Sequence, residues 1–186
     1  MAMPNLARRY TVAEVLAFPA DGNRYELVHG ELLVTPAPRL THQVLVGRVH
    51  AALYNYLAAM PRVATALLSP ADITVGDDVL VQPDVFVVPT AELGANWKAI
   101  KTLLLAAEVV SPSSARSDRV VKRRFYQEHG IPTYWVVDAD AAVVEVWRPG
   151  NTRPDIVTDL LRWRVTPEAS ELTIDLAALF ASPMRG

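Results

Sequence analysis

The amino-acid sequence predicts one α/β domain in which a central mixed β-sheet is flanked by helices. Strand-like and helix-like segments alternate along the chain, without an internal repeat, a low-complexity segment or a linker. The 186 residues can bury one sizeable core but are tight for two domains, and 51% of them are hydrophobic, as in packed globular proteins. We therefore expect a single domain over residues 1–186, with the fold in residues 10–182 and a flexible N-terminus in residues 1–9.

The first predicted elements are a short helix and a β-hairpin. Thr11 and Glu14 form a capping-box pattern, which indicates a helix over residues 12–18. The β-like runs RYELV and ELLVT then flank His29-Gly30, which predicts a hairpin with a two-residue turn. The glycine can supply the positive φ that such a turn requires.

A long helix and several strands are predicted next. Apolar residues recur at helical spacing over residues 42–59, with Thr41 as a candidate cap and Pro61 as the stop. Strand candidates follow at residues 63–68, 72–75 and 79–88, with a turn at residues 76–78. The near-continuous apolar run over residues 103–110 indicates a strand covered on both faces.

The second half of the chain predicts another helix and a second hairpin. The helix covers residues 118–129, with Ser117 as its cap and with Gly130 and Pro132 as stop signals. The runs TYWVVD and AVVEVW predict a hairpin across residues 139–142. The last predictions are a strand region at residues 156–165 and a short amphipathic helix at residues 172–180.

Composition excludes several classes of site. The chain has no cysteine, so it has no disulfide framework, thiolate zinc site or thiol nucleophile. Residues 1–9 contain no apolar stretch long enough for a signal peptide, and no apolar run reaches the length of a membrane span. We therefore expect a cytoplasmic protein. The net charge of -2 argues mildly against broad coating of nucleic acid, but it allows a local basic patch beside an acidic metal site.

Two carboxylates lie where charge is costly. Asp84 follows Pro83 in the run VQPDVFVV, and Glu108 is the only ionisable residue in LLLAAEVV. A charge in a strand buried on both faces costs several kcal/mol unless a partner or a metal ion offsets it. A shared divalent cation, Mg²⁺ or Mn²⁺, would do so and could also activate a water molecule for attack on a phosphoester. The alternative is that Glu108 emerges into solvent at the end of its strand.

Lys122 is the third candidate. It lies four residues after Asp118, so both side chains occupy one face of the predicted helix. The start of this helix returns near the C-terminal end of the Glu108 strand, where ligands collect in open α/β sheets. A lysine there could orient the attacking water or stabilise developing negative charge. The alternative is a solvated pair with Asp118.

Several motifs together resemble one family. The strings YELVHGEL, QPDVFVV, AEVVSPSS and GIPTYWVVD, with the spacing D-x-x-x-K-x-x-x-Y, are similar in order to the Uma-two family of predicted endonucleases. The resemblance runs from about Tyr25 to Asp138. That family resembles a branch of the PD-(D/E)XK superfamily, which implies a restriction endonuclease-like core with helices on both faces of a mixed sheet.

The resemblance also implies roles for individual residues. Asp84 matches the first acid of the motif and Glu108 the second, while Val110 stands where the superfamily usually has its lysine. Lys122 matches the lysine that the Uma-two pattern carries on the following helix. The family further implies an acid from the first hairpin, for which we favour Glu31 over Glu26. His42 is placed to contact phosphate or a water molecule near the site, with a surface or capping role as its alternative.

Further candidates concern partners. A group of arginines surrounds Lys122 and is a candidate contact for a phosphate backbone, although charged helix faces are more often simply solvated. These are Arg116, Arg119, Arg123 and Arg124. The second hairpin, with Tyr134, Trp135 and Trp147, is a candidate homodimer interface. The four tryptophans lack the spacing of a stacking platform, which favours core or interface positions.

The leading hypothesis is therefore an Mg²⁺- or Mn²⁺-dependent endonuclease that hydrolyses DNA phosphodiester bonds through a metal-activated water. The alternative is a catalytically silent module on the same fold that binds nucleic acid or protein, as the acidic pI and the displaced lysine allow. A weaker alternative is an enzyme of this fold that acts on a smaller phosphoester.

Overall fold

The computed structural model describes residues 8–181. Most of the predicted flexible N-terminus, residues 1–7, lies outside the described residues. The strands are β1 (Arg24–Val28), β2 (Glu31–Thr35), β3 (Ala64–Leu68), β4 (Ile73–Val75), β5 (Val79–Val81), β6 (Val85–Pro89), β7 (Leu105–Val110), β8 (Tyr134–Asp138), β9 (Val143–Trp147), β10 (Asp155–Val157), β11 (Leu160–Trp163) and β12 (Leu172–Asp175). The helices are α1 (Val12–Leu16), α2 (Leu40–Leu57), a π-helical segment (Ser117–Lys122) that runs into α3 (Arg123–Glu128), and α4 (Leu176–Phe180), with short 3₁₀ turns at Thr90–Glu92 and Trp97–Ala99.

The strands form two larger sheets and a ribbon. The six-stranded sheet has the order β10-β9-β8-β7-β6-β3, and its β7 and β8 run parallel while its other neighbouring strands are antiparallel. This is the predicted mixed sheet. The four-stranded sheet has the order β2-β1-β5-β4, and β11 pairs with β12 in the separate ribbon.

Apolar side chains cover both faces of the six-stranded sheet. On one face Val49 and Leu53 of α2 pack in the same core cluster as Leu105 of β7. On the other face Phe125 of α3 packs in a cluster with Val136 of β8. Five of the six residues of β7 are buried, as its continuous apolar run predicts.

The predicted N-terminal elements are confirmed. Thr11 caps α1, and the reciprocal bonds of a capping box with Glu14 are both present. At the hairpin turn His29 has φ 49° and Gly30 has φ 76°. Two successive residues in the left-handed region are typical of the two-residue turn that matches strand twist.

One predicted strand is wrong in a way that shapes the site. Residues 79–88 form two strands, β5 and β6, that belong to different sheets. Pro83 lies between them and has no N–H to donate to a ladder, which favours an interruption at this point. Asp84 therefore precedes β6, at the junction of the two sheets, rather than lying inside a strand.

The predicted helix caps Thr41 and Ser117 are also wrong. Helix α2 begins at Leu40, with Arg39 as its cap and no capping bond from a side chain. Residues 115 and 116 are already helical, and the Ser117 hydroxyl donates to the carbonyl of Ser114 at 2.7 Å. In both places the helix begins one or two residues earlier than the polar side chain suggests.

The C-terminal region and the second hairpin require two corrections. The predicted helix at residues 172–180 is a strand, β12, followed by α4, which Asp175 caps through the N–H groups of Ala177 and Ala178. The strand region at residues 156–165 is likewise divided into β10 and β11. Tyr134, Trp135 and Trp147 are buried, so they do not supply a homodimer interface. Within residues 8–181 no helix is both long and apolar enough to span a membrane.

Candidate active site

Four buried acidic side chains converge where the two larger sheets meet. They come from β1, from the residue before β6, from β7 and from the π-helical segment. They are Glu26, Asp84, Glu108 and Asp118, each 3% exposed or less, and together we call them the acid cluster. The predicted convergence of Asp84, Glu108 and Lys122 is thus present in the structure.

Lys122 lies at the centre of the acid cluster. Its Nζ atom is 2.7 Å from Glu26 Oε2, 3.0 Å from Glu108 Oε1 and 3.4 Å from Asp118 Oδ1. Burial by itself would lower the pKa of the Lys122 ammonium, but the three carboxylates outweigh it and raise that pKa well above its usual value. The ammonium is therefore charged, and at 1% exposure it lies behind the surface.

Asp84 is held by three donors. Its Oδ1 accepts from Arg24 Nη1 at 2.7 Å, and its Oδ2 accepts from His42 Nε2 at 3.1 Å and from the Val109 N–H at 2.9 Å. Burial would raise the pKa of the Asp84 carboxyl, but the His42 hydrogen bond and the Arg24 charge hold that pKa well below its usual range. Asp84 is consequently an ionised carboxylate in the folded protein.

Glu108 is the least satisfied member of the cluster. Its Oε1 lies beside Lys122 and accepts from the Tyr126 hydroxyl at 3.4 Å, whereas its Oε2 has no hydrogen-bond partner among the described residues. Burial raises the pKa of the Glu108 carboxyl well above its usual value despite the nearby Lys122, and burial likewise raises the pKa of Asp118. Buried oxygens without a partner are uncommon in folded proteins, so Glu108 Oε2 is the atom of the cluster that most needs a functional explanation.

This electrostatic state predicts a pH effect on stability. The folded-state pKa of Glu108 lies above the unfolded value near 4.5, so ionising this residue reduces stability progressively as the pH rises from 4.5 through the folded pKa. Glu108→Gln removes that loss. We expect the variant to melt above the wild type at pH 8.

The measurement is thermal unfolding of both proteins between pH 5 and pH 8, followed by circular dichroism. The advantage of Glu108→Gln should shrink as the pH falls toward 5. Glu31→Gln is the matched control, because Glu31 is exposed and should show no such trend. A difference in melting temperature between the wild type and Glu108→Gln that does not depend on pH would contradict the burial of an ionisable Glu108.

A cleft of about 940 Å³ opens onto one side of the acid cluster. Arg24, His42 and Asp84 line it, together with the serine-rich turn at residues 111–114. Glu26, Glu108 and Lys122 are not among the residues that line it within the described part of the chain. Asp84 therefore connects the cleft with the buried cluster.

The hairpin acid that joins the cluster is Glu26, which corrects the preference for Glu31. Glu26 Oε1 accepts from the N–H of Gln82 at 2.7 Å, and its Oε2 contacts Lys122. Glu31 is exposed at the start of β2. The pairing Glu26↔Leu33 and Val28↔Glu31 sets Glu31 at the turn end of the hairpin, away from the sheet junction.

The arginine group is largely engaged within the protein. Arg119 donates to Asp138 and Glu145, and Arg123 donates to Gln127 and lies over the ring of Trp147. Arg124 pairs with Glu128 on the surface, and Arg116 is exposed. Arg119 thus links the helix to β8 and β9, and Arg123 bonds within its helix and lies over Trp147, whereas Arg116 and Arg124 have no contact with the sheet among the described contacts.

Sequence reasoning missed Arg24. This residue lies two positions before Glu26 on β1, and alternate residues of a strand point to the same face. Once Glu26 is placed at the cluster, Arg24 follows from that parity. The preference for Glu31 concealed this signal.

The comparisons with known proteins identify the family. The sequence profile described as "Uma2: Putative restriction endonuclease" matches residues 12–177, which include the whole acid cluster. The chain belongs to the Uma2 family. Membership in Uma2 confirms the family resemblance noted in the motifs and supports a nuclease-like role. A search of curated proteins found none that matches.

A solved structure supports the fold of this Uma2 chain. It is described as "a putative nuclease belonging to DUF820 from Anabaena variabilis ATCC 29413". The two structures superpose with a TM-score of 0.75 at 21% sequence identity, over 92% of this chain and 98% of that chain. This likeness confirms the predicted mixed α/β architecture.

The Uma2 family implies a divalent metal ion, and the donors of the cluster fit one in part. Carboxylate oxygens are the ligands that Mg²⁺ and Mn²⁺ prefer, and Glu108 Oε2 lacks a partner. However, within residues 8–181 no group of three or more His, Asp or Glu side chains is arranged to hold an ion. The described residues therefore do not fit a closed cage of protein ligands, and Asp84 and Glu108 remain the two candidate carboxylates for an ion whose other ligands would be water and substrate.

Proposed function

We propose that this chain is a divalent-metal-dependent endonuclease that hydrolyses phosphodiester bonds in DNA, with Asp84 and Glu108 as its metal ligands. The observation that supports this most is the junction of the two sheets, where Asp84 lines the cleft and Glu108 presents a buried oxygen without a partner. Membership in the Uma2 family independently supports a nuclease function.

The protein's own residues hold these two carboxylates in place. Arg24, His42 and the Val109 N–H fix Asp84, while Lys122 and the Tyr126 hydroxyl fix Glu108. Lys122 is too buried to touch a substrate in this arrangement, so we propose that it positions Glu108 and Glu26. A bound Mg²⁺ or Mn²⁺ would polarise a phosphoryl oxygen and lower the pKa of an attacking water.

The cleft supplies groups suited to a phosphate backbone. The turn at residues 111–114 carries three serine hydroxyls, and exposed Arg39 also lines the cleft. Neutral hydroxyls, backbone N–H groups and arginines are the usual phosphate contacts of DNA-binding proteins. Arg116 and Arg124, which are exposed outside the cleft, are proposed as further contacts.

A second candidate function is a silent module that binds nucleic acid or protein on the same fold. One observation favours it, namely that Lys122 and Arg24 already neutralise part of the acid cluster. An internally paired cluster can be retained for structure alone. This candidate predicts binding without turnover.

A cleavage assay on three substrates tests the proposal. Wild-type protein is incubated with supercoiled plasmid, a DNA oligonucleotide and a small diester, bis(p-nitrophenyl) phosphate, each with Mg²⁺, Mn²⁺ or EDTA. The proposed function predicts nicked or linear plasmid with metal and none with EDTA. DNA binding without cutting would favour the silent module, and turnover of the small diester alone would favour an enzyme that acts on smaller phosphoesters.

A further inference from the structure

Arg24 contacts both the acid cluster and the cleft. Its Nη1 donates to Asp84 Oδ1 at 2.7 Å and to the carbonyl of Gln82 at 3.2 Å, and its Nε lies 3.5 Å from Glu26 Oε2. Its side chain is 19% exposed, and the residue lines the cleft. The guanidinium is therefore bonded to Asp84 and accessible from the cleft that both residues line.

This contact occupies an oxygen that a metal ion would need. Asp84 Oδ2 already accepts from His42 and from the Val109 N–H, so Oδ1 is its less engaged oxygen. A charge-assisted bond from an arginine is among the stronger hydrogen bonds in proteins. A divalent ion that binds Asp84 must therefore compete with the guanidinium of Arg24.

The cleft is the open space beside the Arg24 side chain. The backbone of Arg24 is fixed in β1, which pairs with β2 and β5, and Arg24 lines the cleft, whereas Glu26 and Lys122 do not. A guanidinium that leaves Asp84 can therefore enter the cleft. There its planar fork of donors matches the oxygens of a phosphodiester.

We propose that Arg24 is a positioning residue that exchanges its bond to Asp84 for a bond to a substrate phosphate when a divalent ion binds. Metal ion and phosphodiester then bind cooperatively, because each stabilises the arrangement that the other requires. This inference rests on the proposed function, and it assigns to Arg24 the coupling between the two ligands.

Calorimetric titration with Mn²⁺ alone tests the competition. Arg24→Met is expected to bind Mn²⁺ about tenfold more tightly than the wild type, because no guanidinium has to leave Asp84. Arg62→Met is the matched control, since it removes the same charge at an exposed residue that does not line the cleft. Its Mn²⁺ affinity should stay within about twofold of the wild type. If Arg24→Met has no cooperative melting transition, Arg24→Gln replaces it with the same expectation.

A second titration tests the coupling. A 12-base-pair DNA duplex with phosphorothioate linkages, which slow cleavage, should tighten Mn²⁺ binding to the wild type several-fold more than it tightens Mn²⁺ binding to Arg24→Met. Two results would overturn the role of Arg24 and leave the proposed function untouched. One is an equal gain in Mn²⁺ affinity with DNA in both proteins, and the other is an Arg24→Met variant that binds Mn²⁺ no more tightly than the wild type. A wild type that binds no Mn²⁺ overturns the proposed function as well.

Discussion

Replacing Asp84 by asparagine is expected to reduce metal-dependent DNA cleavage by more than about 100-fold while the fold survives. Asparagine keeps the shape of the side chain and an oxygen that can accept from Arg24, but it removes the negative charge that a divalent ion requires. The loss should appear in the initial rate of plasmid nicking at saturating Mg²⁺ or Mn²⁺. Circular dichroism should show an unchanged spectrum.

Asp77→Asn is the matched control for this prediction. Asp77 is exposed in the turn between β4 and β5 and does not line the cleft. The Asp77→Asn variant should therefore nick plasmid at the same rate as the wild type. A folded Asp84→Asn that nicks plasmid as fast as the wild type would remove Asp84 from the proposed mechanism.

Replacing Lys122 by methionine is expected to lower the free energy of unfolding by about 3–5 kcal/mol. The change leaves Glu26, Glu108 and Asp118 buried together without the ammonium that they share. Chemical denaturation at pH 8 measures the loss. It should be smaller at pH 5, where the buried carboxyls can take up protons without the penalty of ionisation.

Two further variants separate this effect from a general loss of a lysine. Lys101 is exposed, and Lys101→Met should change the unfolding free energy by less than about 0.5 kcal/mol. The double variant Lys122→Met, Glu108→Gln should recover part of the loss, because one buried charge has been removed with its partner. A Lys122→Met as stable as the wild type would show that the ammonium does not compensate the acid cluster.

Much of the candidate site could be predicted from the local sequence. Glu108 is the only ionisable residue of an apolar strand, and Asp84 follows a proline next to a second apolar strand. The burial of both carboxylates could therefore be inferred, and a compensating cation expected. The Lys122–Asp118 pair followed from helical spacing and is present at 3.4 Å. These features depend on neighbours within a few positions along the chain.

The contacts that were not predicted span long stretches of sequence. His42 reaches Asp84 across 42 positions, and no local pattern specifies such a contact. The choice between Glu26 and Glu31 depends on which end of the hairpin meets the second sheet, and periodicity within either strand does not determine it. Residues 79–88 read as one strand because their apolar pattern continues through the point where the chain changes sheets.

The division of the C-terminal region has a similar cause. In residues 172–175 buried and exposed positions alternate, as in a strand, and the run continues without a break into the helix at Leu176. The composition of such a short apolar run does not distinguish a strand from a helix. The cap at Asp175, which accepts from two backbone N–H groups, marks the change.

Anomalous diffraction from crystals soaked in Mn²⁺ tests most directly whether the carboxylates of Asp84 and Glu108 share a divalent ion. The proposed site predicts one strong peak within about 2.0–2.6 Å of a carboxylate oxygen from both Asp84 and Glu108, with water completing its shell. A peak that contacts neither residue, in crystals of protein that cuts DNA only with Mn²⁺, would contradict the assignment of these two carboxylates as the metal site.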